Sequence, residues 1–458
     1  MLQNFFAAES EVTPENIGEA IQQAIEIEIA TIPVYLYTYY SIIRSPDQDA
    51  ISGSLTQELV TVGKTPAEAS AIALDLSAQI MVFANKAGAL IMSVAIEEML
   101  HMALSSNLKQ ALAGLPELVG KSPSVWPAYL PGHIPPFPID RAGLSLNQLM
   151  TFLKIESPKP LPVRKQLEAP IPYKTIGLFY QMIIKCIEDY DLPYDLDSPQ
   201  LLPNKGYYVQ SNIDTIYYDR DHKPRYTNAD DSGDLLYVKD RESAIHAINC
   251  IVEQGEGNPD APGLNPDGSV DCGAIVPPDY DDPAREELSH FEKFAQVYCE
   301  YQTLTNRFNN LGIGVIDINE YFVVNVPTNP STSKYPADIA AVSTLLNAVY
   351  TYIFVMVENC YKQSGSTQYE IFMFGIHKSM IFILNSLCGD IMQLSYLDPE
   401  DDTVYAAAPT FEDYPFGLVS SPKSQLVDLY YAAYPDGNYL EQRILDLPDV
   451  PLQYAGKF

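Results

Sequence analysis

The chain has 458 residues, with 59 Asp and Glu against 27 Lys and Arg, and a formal net charge of -32 at pH 7. A surface of that sign repels phosphate backbones and anionic headgroups, which argues against a nucleic-acid partner and against electrostatic membrane docking. With 47% hydrophobic and 19% charged residues the composition is globular, so some carboxylates share space with apolar core, where each needs a partner.

Length alone suggests about two to four domains. The start, Met1-Leu2-Gln3-Asn4-Phe5-Phe6, lacks the basic and apolar pattern of a secretory leader. No uninterrupted apolar run approaches the roughly 20 residues of a spanning helix. Six scattered cysteines (Cys186, Cys250, Cys272, Cys299, Cys360, Cys388), with no C-x-x-C pair, read as small reduced core residues. These features predict a soluble, cytoplasmic chain.

Thr13-Pro14-Glu15 predicts a helix start, with an N-cap, proline at N1 and acid in the first turn. That helix is expected to reach about Ile43 and to kink at Pro33. Thr65-Pro66 with Glu68 is a capping signature for a helix to about Leu76. The apolar, proline-free stretch from Ser77 to Ala113 reads as a buried central helix. From Lys121 to Pro172 dense proline predicts ordered loop or crossover. A short helix is expected over Tyr173–Tyr190. An acidic, Tyr-rich insertion follows, Asp191–Asp234, with short strands at Gly206–Val209 and Ile216–Tyr218. Further helices are predicted over Lys239–Gln254, Pro283–Asn306, Ala337–Gln363 and Thr367–Tyr396, before an irregular C-terminus. Tyr35, Tyr37, Tyr39 and Tyr40 cluster at the end of the first helix and read as packing residues with a hydroxyl handle.

One motif recurs: Glu-x-x-His, as Glu98-Met99-Leu100-His101 and Glu287-Leu288-Ser289-His290. Residues three apart share a helical face, so a carboxylate and an imidazole can hold one metal ion together. On the first helix Ile17, Ile21, Ala24, Glu28, Ile32 and Tyr35 fall on one stripe, which turns Glu28 toward the core and Glu26 toward the polar side. Ala84, Ala87, Ile91, Val94, Glu98, His101, Ser105 and Leu108 likewise repeat at three and four. Three acids and two histidines in apolar seams ask for a shared cation, and oxygen-rich sites with imidazole suit a pair of iron or manganese ions. A helical bundle of this kind wants a fourth carboxylate, for which Glu253 and Glu256, near the end of the Lys239–Gln254 helix, are alternatives. Glu97 and Glu286 read as ordinary helix acids, His133 and His222 as surface loop residues, and His377 as a core histidine.

Several stretches resemble a known family. Ala24 to Leu36 (AIEIEIATIPVYL), Ile96 to His101 (IEEMLH) with Asn107, and Thr175 to Tyr180 (TIGLFY) are similar to the ferritin-like domain of iminophenyl-pyruvate dimer synthases, the violacein and rebeccamycin type. So are Ile251 to Gly257 (IVEQGEG), Ser289 to Phe294 (SHFEKF) and Ala408 to Phe411 (APTF). The resemblance implies a mainly α fold: a ferritin-like four-helix bundle with long insertions and additional C-terminal helices. Residues 1–310 would form the metal-binding bundle, with its Pro-rich crossover and Tyr/Asp-rich insertion. Residues 311–458 would form a helical extension packed on it. It implies Glu28, Glu98, His101 and His290 as metal ligands, with Glu253 or Glu256. Where the family commonly has a Glu after Thr-Ile-Gly, this chain has Leu178. The implied activity is a di-iron (or manganese) oxidoreductase that uses O2 or peroxide on a small amino-acid-derived substrate in secondary metabolism, as a monomer or small homo-oligomer. The alternative is a ferroxidase-type iron-handling protein with no organic substrate.

Overall fold

The computed structural model describes residues 11–130, 138–158, 175–201, 235–257, 262–282 and 284–452. The molecule is mainly α-helical. Helix α1 spans Ile17–Tyr40, α2 Gln48–Thr61 and α3 Pro66–Ala113. A two-residue hairpin, β1 (Ala128–Tyr129) with β2 (Pro138–Ile139), leads into α4 (Leu146–Ile155). Helices α5 (Ile176–Asp189), α6 (Arg241–Gly255) and α7 (His290–Asn310) follow. Then come α8 (Ala337–Cys360) and α9 (Gly365–Met392), a β3–β4 hairpin (Ser395–Asp398 with Thr403–Ala406), α10 (Pro422–Ala433) and α11 (Glu441–Leu445).

Helix α3 is the axis of the assembly, with α1, α2, α6 and α7 laid along it, α4 on α7 and α5 on α6. The expected helices at 65–76 and 77–113 are one, because no proline or glycine interrupts the sequence between Pro66 and Gly88. Its start is built as predicted: Thr65 accepts from the Glu68 amide while the Glu68 carboxylate accepts from the Thr65 amide and hydroxyl. Helix α1 begins later than expected. Thr13 O accepts from the Asn16 and Ile17 amides, closing a turn over 14–16, and Asn16 takes the cap position. Pro33 lies within a continuous helix whose residues are buried on nearly every side, as the β-branched AIEIEIATI run dictates. Helix α2, which the sequence reading passed over, is capped by Asp47, whose side chain accepts from the Asp49 and Ala50 amides.

Two expectations are corrected. The Pro-rich stretch after Lys121 contains helix α4, capped by Ser145 and anchored by buried Leu149, Phe152 and Leu153. Helix α7 starts at His290 behind a Ser289–Glu292 capping box, so Glu286 and Glu287 precede it and Glu287-x-x-His290 is not a helical pair. The suggested strands near 206–209 and 216–218 lie outside the described residues.

Helices α3, α8 and α9 are long and apolar enough to cross a membrane, contrary to the expectation from uninterrupted runs, because scattered Ser, Thr and Asn barely lower an average over 18 residues. Protein covers most of these windows in α3 and α8, 67% and 83%, but only 44% in α9. Not all cysteines are reduced: Cys272 and Cys299 form a disulfide that ties the loop before α7 to α7 itself, while Cys186, Cys250, Cys360 and Cys388 are buried thiols outside any disulfide.

Candidate metal centre

Five helices send a polar side chain to one point in the bundle. Glu28 comes from α1, Glu98 and His101 from α3, Glu156 from the C-cap of α4, Glu256 from that of α6, and His290 from the first turn of α7; all six are buried. One ligand atom each from Glu98, His101 and His290 lies within 4.8 Å of the others. A cavity of about 20 Å³, room for an ion or a water, is lined by Glu28, Glu98, His101, Glu156, Gly177 and Glu256 among others.

The two imidazoles stack at 5.2 Å between centroids, 21° from parallel, and both turn Nδ1 inward. His290 Nδ1 is 2.9 Å from Glu98 Oε1 and 3.5 Å from Glu156 Oε2. His101 Nδ1 is 3.8 Å from Glu98 Oε2 and 4.0 Å from Glu28 Oε2. The two oxygens of Glu98 therefore face different histidines.

Outer partners set the tautomers. His101 Nε2 lies 3.1 Å from Gln254 Oε1, and Gln254 Nε2 donates to Glu287 Oε1 at 3.1 Å. Glu287 thus fixes the Gln254 amide, whose carbonyl can only accept, so Nε2 of His101 carries the proton and Nδ1 is a bare lone pair. On the other side Lys293 Nζ holds both oxygens of Glu97, at 2.7 and 2.6 Å, and Glu97 Oε2 is 2.9 Å from His290 Nε2. Glu97 thereby anchors Nε2 of His290 and turns its Nδ1 inward, toward Glu98 and Glu156.

Phenols and hydroxyls orient the acids. Tyr180 donates to Glu28 Oε1 at 2.6 Å, Thr31 to Glu98 Oε2 at 3.2 Å, and Tyr35 to Glu156 Oε1. Glu256 Oε1 accepts from the Gly177 amide at 2.8 Å, at the N-terminus of α5. A Cβ on residue 177 would stand 2.2 Å from Glu256 Oε2, so only glycine lets this carboxylate in.

Without a cation this arrangement is electrostatically strained. Burial, then the neighbouring Glu98, lifts the Glu28 carboxyl well above the usual range. Burial and Glu156 raise Glu98. Burial pushes Glu256 up to about 8. Burial also pulls His101 down to about 4, which keeps it neutral. His290 goes the other way: its burial is outweighed by Glu156, Glu97 and Glu98, which hold it well above the normal histidine value. Glu97 pays a burial penalty too, but Lys293 and His290 outweigh it and bring it to about 2. Buried oxygens short of counter-charge, with two inward imidazole nitrogens, fit a divalent cation pair better than protons.

The structure brings together Glu28, Glu98, His101, His290 and Glu256 from the sequence reading. It does not bring Glu253 or Glu287 to the cavity. Glu253 is only partly buried, one residue short of Gln254, and Glu287 is spent on orienting Gln254. Leu178 is 41% exposed, so that position does not face the cluster. Glu26 pairs with Lys121 at 2.8 Å on the polar side of α1, as its place on the helix suggested. His133 and His222 lie outside the described residues. Sequence reasoning missed Glu156, whose signal was the Ser145 cap and the 149/152/153 apolar spacing. It also dismissed Glu97, which turns to His290 on the same face of α3.

A mainly α bundle with a buried Glu/His cluster defines a class of proteins that can hold metal between helices. The comparisons agree: the chain belongs to the Ferritin-like family, whose model matches residues 21–299. Among solved structures, a ferritin-like protein from Caulobacter vibrioides matches at 18% identity, with 81% of this chain and 94% of that chain covered and a TM-score of 0.41. No curated protein matches the chain.

Proposed function

We propose that the protein is a non-haem dinuclear oxidoreductase, with iron in both positions or manganese in their place. Glu28, Glu98, His101, Glu156 and His290 would hold the ions, with Glu256 beside them. The observation that carries this reading is the pair of outer relays, Glu287–Gln254–His101 and Lys293–Glu97–His290, which anchor Nε2 of both imidazoles and leave Nδ1 of each turned inward toward the carboxylates.

When bound, such a metal pair supplies electrons to O2 or peroxide and so an oxidant for a small organic molecule. The residues of this chain do the rest. The apolar flanks of α1 and α3 exclude water. Tyr35 and Tyr180 hold Glu156 and Glu28 in place through their hydroxyls. Glu28, Glu98 and His290, which their surroundings shift toward the protonated form, would have to give up those protons to hold a metal ion. An amino-acid-derived substrate, oxidised or coupled as in iminophenyl-pyruvate dimer synthases, is the specific form supported by the sequence resemblance.

Metal analysis after anaerobic loading with ferrous iron tests the reading. The expected content is roughly two ions per chain, and fewer than about one would overturn it. Iron handling without an organic substrate is favoured by one observation, the small size of the cavity at the cluster. Size-exclusion chromatography separates the two: a cage of many subunits supports storage, and a monomer or small homo-oligomer supports the enzyme.

A further inference from the structure

A second, larger cavity lies on the other side of α3. It measures about 160 Å³, and no residue lines both it and the metal cluster. Met99 and Met102 in its wall each follow a cluster residue, Glu98 and His101, by one position, a turn of about 100° around the helix. The remaining walls come from the end of α1, from α8 and α9, and from Leu201 and Leu235.

Three observations define what it can hold. First, among the described residues no charged side chain lines it, so an ionic guest would lose its hydration with no counter-charge in return. Second, Met92, Met99, Met102 and Met380 supply four thioethers, which adapt to the shape of a guest and favour the edges of aromatic rings. Third, Tyr40, whose hydroxyl donates to Asn385 Oδ1 at 3.1 Å, sets one hydrogen-bonding pair in a largely apolar wall, with His377 about two turns away along α9. An apolar body with one polar tip matches that layout.

The wall on the α9 side is unusual. Residues Ile371–Ile376 and Ser379–Leu384 are π-helical, and Phe372, Ile376, Met380 and Leu384 from these two segments face the cavity. π-turns are rare, pack less well than α-helix, and recur at functional sites. Here they widen α9 beside the cavity. An apolar cavity of about 150 Å³ is known to stay dry and to accept benzene, so the volume is sufficient for a ring.

We propose that this cavity is a binding site for a small neutral aromatic molecule of one or two rings that carries a single hydrogen-bonding group, as phenols and indoles do. The site stands apart from the metal cluster and does not rest on its assignment.

The test is calorimetric titration of the full chain with indole, with cyclohexanol as a non-aromatic comparator of similar polarity. Indole should saturate at one per chain, and cyclohexanol should bind at least about tenfold more weakly, the difference expected of several sulfur–ring contacts. Ala103→Phe and Met380→Trp fill the cavity from two different helices. Each should weaken indole binding by at least about tenfold while metal content is unchanged. A crystal soaked with 5-bromoindole should show its bromine anomalous peak between α3 and α9, whether or not the filled variants fold. Absence of saturable indole binding, equal binding of cyclohexanol, indole binding unaltered in a folded filled variant, or a bromine peak elsewhere would each overturn the proposal.

Discussion

Lys293 is the residue whose environment is most demanding. It is wholly buried, and its ammonium is held by both oxygens of Glu97. Lys293→Met would leave Glu97 charged and desolvated beside His290. The expected loss is about 3–5 kcal/mol of stability by denaturant unfolding, with much of it recovered when Glu97→Gln is added. Ionisation gives a second expectation at this scale. Glu256 has its folded value raised to about 8 by burial, and Glu28, Glu98 and His290 are raised in the same direction. A raised group binds its proton more tightly when folded, so its contribution is full below the unfolded value and lost as pH rises through the folded one. The metal-free chain should therefore melt at lower temperature as pH goes from about 6.5 to about 8, while below about 6.5 His101, lowered to about 4, works the other way. Glu97 and Glu156 are shifted the other way and act below that window. Loading with metal should reverse the trend, because the ion binds the deprotonated ligands. Gly177→Ala should expel the Glu256 carboxylate, visible as a changed metal-site spectrum, while Leu178→Ala, at an exposed position, should leave it unchanged.

At the scale of elements, the disulfide and the helix caps decide how firmly the cluster is framed. Cys272–Cys299 closes a loop with a sequence separation of 27 that contains His290. Replacing both cysteines by serine should cost about 3–4 kcal/mol by chain entropy, read as a lower melting temperature. The elements legible from sequence were those whose pattern is local. The Thr65–Glu68 capping box, the 3.6-residue stripe through Glu98 and His101, and the inward turn of Glu28 all follow from residues within one or two turns. Those that were not legible depend on distant partners. Helix α4 is only ten residues long amid prolines, and Glu156 at its end has a role only because α7 brings His290 to it. Glu287 has the spacing of a ligand, but the Ser289 cap starts the helix after it, and the acid is left to meet Gln254 from α6. Local pattern supplied two histidines and two acids of the cluster; tertiary packing chose the other two.

For the whole molecule, the net charge of -32 is the dominant long-range term. The exposed acids repel one another, and salt shortens the reach of that repulsion from about 30 Å at 0.01 M to about 8 Å at 0.15 M. The melting temperature should rise across that range of sodium chloride, and a flat or falling curve would mean that local ion pairs outweigh the global repulsion. Helix α3 sets a different kind of limit. No residue from Phe83 to Leu112 is exposed: one side faces the metal ligands, another the apolar cavity, and the rest α1, α2 and α7. A stretch with so little solvent-facing surface has few places where change is free. Variation that retunes either cavity must therefore enter through α4, α6 or α9, whose outer faces are open, while α3 stays nearly fixed in sequence.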